Sequence, residues 1–370
     1  MGALEFVGCA QRQWRETTAL AVYREESSPF QLTCSPAEAG IGQVRSSNLA
    51  IAAMMAYEGV QPRGRFVKMA DDDVRDVAVG AVSTRDGRTL AYLEVGDPQG
   101  PLVIHNHGGP SSRFEARLLA EAASKNRLRL VCVERPGMGQ SSRQKTRSYS
   151  GWADDMVTIA NALGYRAFGV TGWSEGGPWA LAAAAYIDPA RLRHISSIAG
   201  GSYGTFGNNW AAQHLSKIDA LGGALALRFR PGFRLMYASL GLTAEYFRNS
   251  FVKQLRKSVN DYDRQILLRP QVATTFGDAC AECFAHGSDG LVRDAELLYR
   301  SWAFDVSTID RRVHMWQGLD DRLVPDPINK AVADRMPGSV WHPVEGAGHF
   351  VAVGSGDDIF AIAAEELGAP

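Results

Sequence analysis

Cysteine is scarce in this chain. Five residues (Cys9, Cys34, Cys132, Cys280 and Cys283) stand among 370, an odd and scattered set that builds no disulfide framework. Cys280 and Cys283 have the spacing of a metal or redox pair, but no second pair accompanies them. They fall in a segment that reads as helix, and they are expected to be core or surface thiols of that helix. Long apolar runs are missing too. The longest near the start, residues 49–57, is far too short to span a bilayer. Met1-Gly2-Ala3-Leu4-Glu5-Phe6 lacks the basic flank of a signal peptide, and Phe6 breaks the myristoylation pattern. A cytoplasmic location is the expectation. An excess of either charge is also absent: 39 basic residues face 40 acidic ones, for a net charge of −1. No basic stripe favours nucleic acid and no polybasic run favours an anionic membrane. That leaves a small molecule as the expected partner.

What is present has a rhythm. Residues 1–76 carry no recognisable chemistry and read as an N-terminal extension, with a short helix at 49–57 and a solvated acidic turn at Asp71-Asp72-Asp73. From residue 77, runs 79–84 and 89–95 alternate around Asp86-Gly87, a hairpin signal. Apolar strands are expected at 102–104, 128–133, 167–170 and 195–199, with helical patterns at 114–123 and 152–163 between them. Strands that are apolar along their length and alternate with helices imply a mainly parallel sheet covered on both faces. The rhythm stops near Gly201. Residues 201–305 have helical spacing, as in Phe247, Phe251 and Leu255, and read as a helical insertion with its own core. Residues 306–370 resume the pattern with strands at 313–316 and 340–344 and helices at 328–336 and 359–367.

The chemistry gathers just after strands, where open parallel sheets place their active residues. Gly172-Trp173-Ser174-Glu175-Gly176 lies between a strand and an alanine-rich helix. That is the pattern of a nucleophile elbow, which lifts the serine hydroxyl clear of the backbone at a helix N-terminus. A free serine is a poor nucleophile at neutral pH and needs a base. His349, in the glycine-flanked loop after the last strand, is the best placed of eight histidines. The acid that orients the imidazole should come from Asp320-Asp321; Asp321 is favoured and Asp320 is the alternative. Asp326 reads as a helix-start residue before Pro327. An oxyanion hole needs backbone N–H groups. Glu175, next after the nucleophile, supplies one. His107-Gly108-Gly109-Pro110 supplies the other through Gly109, because Pro110 has no N–H. His107 and Gly108 are expected to support that loop. The Glu175 side chain reads as a carboxylate in a helix's first turn; pointed inward, it would oppose an anion or bind a cationic group. No step in this scheme requires a metal or organic cofactor.

Together these residues resemble the α/β-hydrolase superfamily over residues 77–200 and 306–370. Glu134-Arg135-Pro136-Gly137-Met138-Gly139-Gln140-Ser141 is similar to the family's D-R-P-G-x-G-x-S loop, with Glu for Asp. Gly318 to Pro325 resembles its acid loop, and Gly346 to Phe350 its G-x-G-H-F loop. The resemblance implies an eight-stranded sheet, a Ser174–Asp321–His349 triad, and a helical cap at 201–305 over the pocket. It implies less about the reaction. A serine nucleophile argues against dehalogenases and epoxide hydrolases, which use aspartate. His107-Gly108-Gly109-Pro110 is similar to the start of the prolyl-aminopeptidase loop, but Ser111 replaces its final glycine and the elbow lacks that family's G-G-S-W-G form. A carboxylesterase acting on a small or medium hydrophobic ester is the leading expectation. Prolyl-aminopeptidase-like peptidases, carbon–carbon bond hydrolases, cofactor-free lyases and small-molecule receptors of the same fold are the alternatives.

Overall fold

The computed structural model describes residues 78–369, so the expectations for the N-terminal extension lie outside the described residues. Strands β1 (Ala78–Ser83) and β2 (Thr89–Gly96) pair antiparallel across the Asp86-Gly87 turn, as the alternation predicts. Next come β3 (Leu102–Asn106), α1 (Ala116–Lys125), β4 (Arg129–Val133), α2 (Tyr149–Ala162), β5 (Phe168–Trp173), α3 (Gly177–Tyr186) and β6 (Leu192–Ile198). A helical insertion then runs through α4 (Lys217–Arg228), α5 (Arg230–Tyr246), α6 (Arg248–Ser258), α7 (Asp261–Leu268), α8 (Pro270–Cys283) and α9 (Asp289–Tyr299). The alternation resumes with β7 (Val313–Gly318), α10 (Asp326–Arg335), β8 (Ser339–Val344), α11 (Val351–Gly354) and α12 (Gly356–Leu367).

The eight strands form one sheet in the order β1-β2-β4-β3-β5-β6-β7-β8. β2 pairs antiparallel with β4, and every neighbouring pair from β4 through β3 to β8 is parallel. The central strands β3, β5 and β7 are buried at every position. This is the burial expected of parallel strands covered on both sides, and it explains their largely apolar character. On one face lie α2, α3 and α10, contributing Trp152, Met156, Trp179, Leu181 and Val332. On the other lie α1 and α12, contributing Leu119, Ala123, Ile359 and Phe360. Helix α3 is buried from Gly177 through Ala184. Its run of alanines lets the backbone sit close to the sheet, where a longer side chain would force it away. Burying each large apolar side chain contributes about 1.5–3 kcal/mol.

The insertion has its own core, built on Phe233, Tyr237, Phe284, Leu291 and Leu298 and closed by Met138, Val324 and Ile328 from the sheet domain. Phe233, Tyr237, Phe284 and Tyr299 form this packing and Phe251 packs against it, whereas Phe247, which the helical spacing assigns to the same core, is exposed, as are Phe229 and Tyr246. Cys280 and Cys283 are buried in α8, and burial pushes both thiols upward. They are core thiols.

Candidate active site

Ser174 follows the last residue of β5 and has φ +57. That left-handed conformation is uncommon for a serine and marks a strained turn. The flanking glycines are required by contact. A β-carbon on Gly172 would stand 2.1 Å from the Gly176 carbonyl oxygen, and one on Gly176 would stand 1.9 Å from the Asn106 carbonyl oxygen. The turn can be this sharp only because both positions lack side chains. Ser174 is partly exposed while Glu175 and Gly176 are buried.

His349 is held from three directions. Its Nδ1 lies 2.8 Å from Asp321 Oδ2. Its carbonyl accepts the Trp173 indole N–H at 2.8 Å, which ties the loop to the strand carrying the elbow. Its backbone N–H donates to Asp263 Oδ2 at 2.7 Å, and the next amide, Phe350, donates to Asp263 Oδ1 at 2.9 Å. With Nδ1 facing a carboxylate, the proton sits on Nδ1, and Nε2 is the ring nitrogen left to accept. Burial lowers the His349 pKa, but the carboxylates of Asp321 and Asp263 outweigh it, and the result lies above the usual histidine value.

The two candidate acids are separated clearly. Asp321 is buried, with Oδ1 accepting from the Leu323 and Val324 amides at 2.8 and 2.9 Å and Oδ2 facing His349. Asp320 is exposed and only its backbone N–H is engaged, to the Ala347 carbonyl at 2.9 Å. Asp326 opens α10.

The loop after β3 is equally determined. The Gly108 N–H donates to both oxygens of Glu115 at 3.1 Å. Because Pro110 has no N–H, Gly109 is the amide that remains between them. His107 accepts the Arg135 N–H at Nε2, 3.3 Å, and directs Nδ1 to the Gly108 carbonyl, 2.7 Å. Burial and the Arg135 charge hold its pKa well below the usual histidine range. It is therefore a neutral, fully engaged ring that supports the loop. Arg135 also donates Nη2–H to the Gly108 carbonyl at 3.2 Å and pairs with Asp294 at 2.5 Å. Glu134, where the resembled loop has Asp, pairs with Arg113 and accepts the Gln140 amide at 2.6 Å. Burial pushes its pKa up to about 7.

Three contributors were not singled out by sequence reasoning. Glu115 bridges the Gly108 amide to His105 Nε2, 2.9 Å away. Asp263 grips the histidine loop from α7, and Trp173 grips it from β5. Each bond joins residues distant in sequence or hidden inside a helical pattern, so spacing carries no signal for it.

One metal-like cluster stands among the described residues. His194, His314 and Glu366 bring one ligand atom each within 4.8 Å of one another. The cluster lies toward the strand ends away from the elbow, since His194 pairs with Gly169 near the start of β5. Its atoms already have partners. His194 contacts Glu366 at 2.8 Å and Ser196 at 2.9 Å; His314 contacts Glu366 at 3.1 Å and His342 at 2.8 Å; Arg312 contacts Glu366 at 3.0 Å. It is complete as a hydrogen-bond network that ties α12 to β6, β7 and β8.

A parallel sheet with an antiparallel edge hairpin, an elbow serine after β5 and a helical insertion after β6 defines a hydrolase-type α/β fold. The chain belongs to the alpha/beta hydrolase fold family, which its residues 101–353 match. Among curated proteins it is similar to bifunctional epoxide hydrolase 2 of Sus scrofa, 29% identical over 161 residues. That match takes in 42% of this chain and only 28% of the relative's length. Among solved structures it resembles a hydrolase from Pseudomonas aeruginosa (TM-score 0.57, 18% identity, covering 79% of this chain and 98% of that one). An esterase from Exiguobacterium antarcticum is similar at TM-score 0.57 and 15% identity, covering 78% and 98%. A meta-cleavage product hydrolase from Pseudomonas fluorescens is similar at TM-score 0.53 and 18% identity, again covering 78% and 98%. At these identities the structures share the fold.

Proposed function

We propose that the protein is a serine hydrolase that cleaves a carboxylic ester of small or medium size through an acyl-enzyme, with Ser174 as nucleophile, His349 as base and Asp321 as orienting acid. The observation that carries this reading is the Asp321–His349 contact of 2.8 Å, which fixes the imidazole tautomer in the loop beside the strained elbow. His349 Nε2 takes the Ser174 proton as Oγ attacks the acyl carbon. The Gly109 and Glu175 amides hold the oxyanion. His349 then gives the proton to the leaving oxygen, and water repeats the sequence on the acyl-enzyme. A base that must accept and return a proton is suited by carboxylates that stabilise its protonated form, as Asp321 and Asp263 do here. The helices of the insertion act as a cap over the substrate, and the apolar composition of that segment favours a hydrophobic acyl group.

The test is labelling with a fluorophosphonate probe, followed by peptide mass spectrometry, on wild type and Ser174→Ala. An adduct on Ser174 alone, with turnover of an activated ester lost in the variant, is expected. A folded protein that neither reacts nor turns over ester would overturn the reading in favour of a receptor.

A further inference from the structure

Glu175 has an unusual side chain for its position. It is 8% exposed, and among the described residues its Oε2 has no hydrogen-bond partner. An orphaned buried carboxyl oxygen costs free energy and calls for an explanation. Its location supplies one. Oε2 lies 1.9 Å from where a β-carbon on Gly109 would stand, so the carboxyl rests directly against the glycine whose amide is the proposed partner of Glu175's own. The carboxyl thus packs against Gly109, one proposed oxyanion donor, and belongs to the residue that supplies the other. In its ionised form that group would repel the negative charge the amides stabilise. In its neutral form it carries an O–H donor within the same small space.

The surroundings favour the neutral form. Burial is the largest influence and pushes Glu175 up to about 8. Arg135 opposes it, while Asp294 of α9 and Asp219 of α4 reinforce it. The N–H groups of Arg135 are directed to Asp294 and to the carbonyls of His107 and Gly108. The other titratable groups around the carboxyl are Tyr149 of α2, Tyr203 after β6, Tyr237 of α5, Cys283 of α8 and Tyr299 of α9, all pushed upward and neutral at ordinary pH.

We propose that Glu175 is a third, side-chain donor of the oxyanion site: as a neutral carboxylic acid it gives an O–H hydrogen bond to the carbonyl oxygen of the scissile group. This rests on the serine-hydrolase reading and extends it. The bond strengthens as charge develops on that oxygen, so it acts on the transition state more than on the bound ester. Loss of the proton reverses its effect, and activity should fall on the alkaline side.

Two measurements on the full chain test this. The first is the infrared difference between wild type and Glu175→Gln across pH. It should show a protonated carboxyl at neutral pH that disappears with a midpoint near 8. The second is the pH profile of kcat/KM for wild type, Glu175→Gln and Glu175→Ala on an activated ester, with melting curves to confirm folding. Glu175→Ala should lower kcat about a hundredfold, the scale of losing one oxyanion donor. Glu175→Gln, which keeps a donor that cannot ionise, should lose much less and should lack the alkaline limb. An ionised carboxyl at neutral pH, or an alkaline limb unchanged in Glu175→Gln, overturns the proposal while leaving the hydrolase reading intact. Failure of folded wild type to turn over ester or label at Ser174 overturns both.

Discussion

Asp320 and Asp321 are adjacent, chemically identical side chains, and the fold gives them opposite surroundings. Asp321 has both oxygens engaged inside the protein, whereas Asp320 is exposed to water. An amide at 321 would leave the imidazole without a carboxylate and favour the wrong tautomer. Asp321→Asn is therefore expected to lower kcat about ten-thousandfold, by analogy with removal of that charge in a serine protease triad. Asp320→Asn should stay close to wild type. Rates on an activated ester decide it, and a large loss at 320 with none at 321 would reverse the assignment. The sequence shows why the choice is hard at this scale. A strand ending in Gly-Leu-Asp-Asp places both acids in one turn. The amides of Leu323 and Val324, which fold back onto Asp321, and its contact with His349 single out the second.

At the scale of elements, α7 shows where pattern reading stops. Asn260 caps this helix by accepting the Asp263 amide at 3.0 Å, an ordinary helix-start arrangement. The other use of Asp263, accepting the amides of His349 and Phe350, spans 86 and 87 residues and leaves no local trace. Strands such as β3 and β7 were legible because full burial favours apolar residues, as in Leu102-Val103-Ile104 and Met315-Trp316. The four residues of α11 were not, because one turn is too short to show a helical period. The Asp263 contact has a pH consequence. Its negative charge helps hold His349 above the usual value, and the proposed mechanism needs the neutral imidazole. Asp263→Asn should lower the His349 pKa and move the acid limb of kcat/KM to lower pH. It should also reduce kcat through a looser loop, with KM little changed. A profile that stays in place while stability falls would make Asp263 a purely structural link. His107 gives no comparable limb, since it is held neutral well below this range.

At the scale of the whole molecule, the insertion and the sheet domain are joined by buried charge as well as by apolar packing. Asp294 of α9 meets Arg135 at 2.5 Å and Arg147 at 2.8 Å, and all three side chains are nearly fully enclosed. Burial pulls the Arg147 guanidinium down to about 10, with Asp294 the main force opposing that fall. Neither arginine is readable as an interface residue from its spacing, because the partner acid lies in a segment whose period announces only a helix. Removing the acid would leave two buried cations without their counter-charge, a change that costs about 3–5 kcal/mol. Asp294→Ala should therefore lower the unfolding free energy obtained from urea titration by that amount. Function should suffer in the same variant, because the Arg135 guanidinium also holds the His107 and Gly108 carbonyls and so the loop that presents Gly109. A single cooperative transition, shifted as a unit, would mean that the insertion and sheet unfold together. Two separated transitions would mean that Asp294 is what makes them one cooperative body. A shift below about 1 kcal/mol, the range of exposed ion pairs, would contradict the burial on which this argument stands.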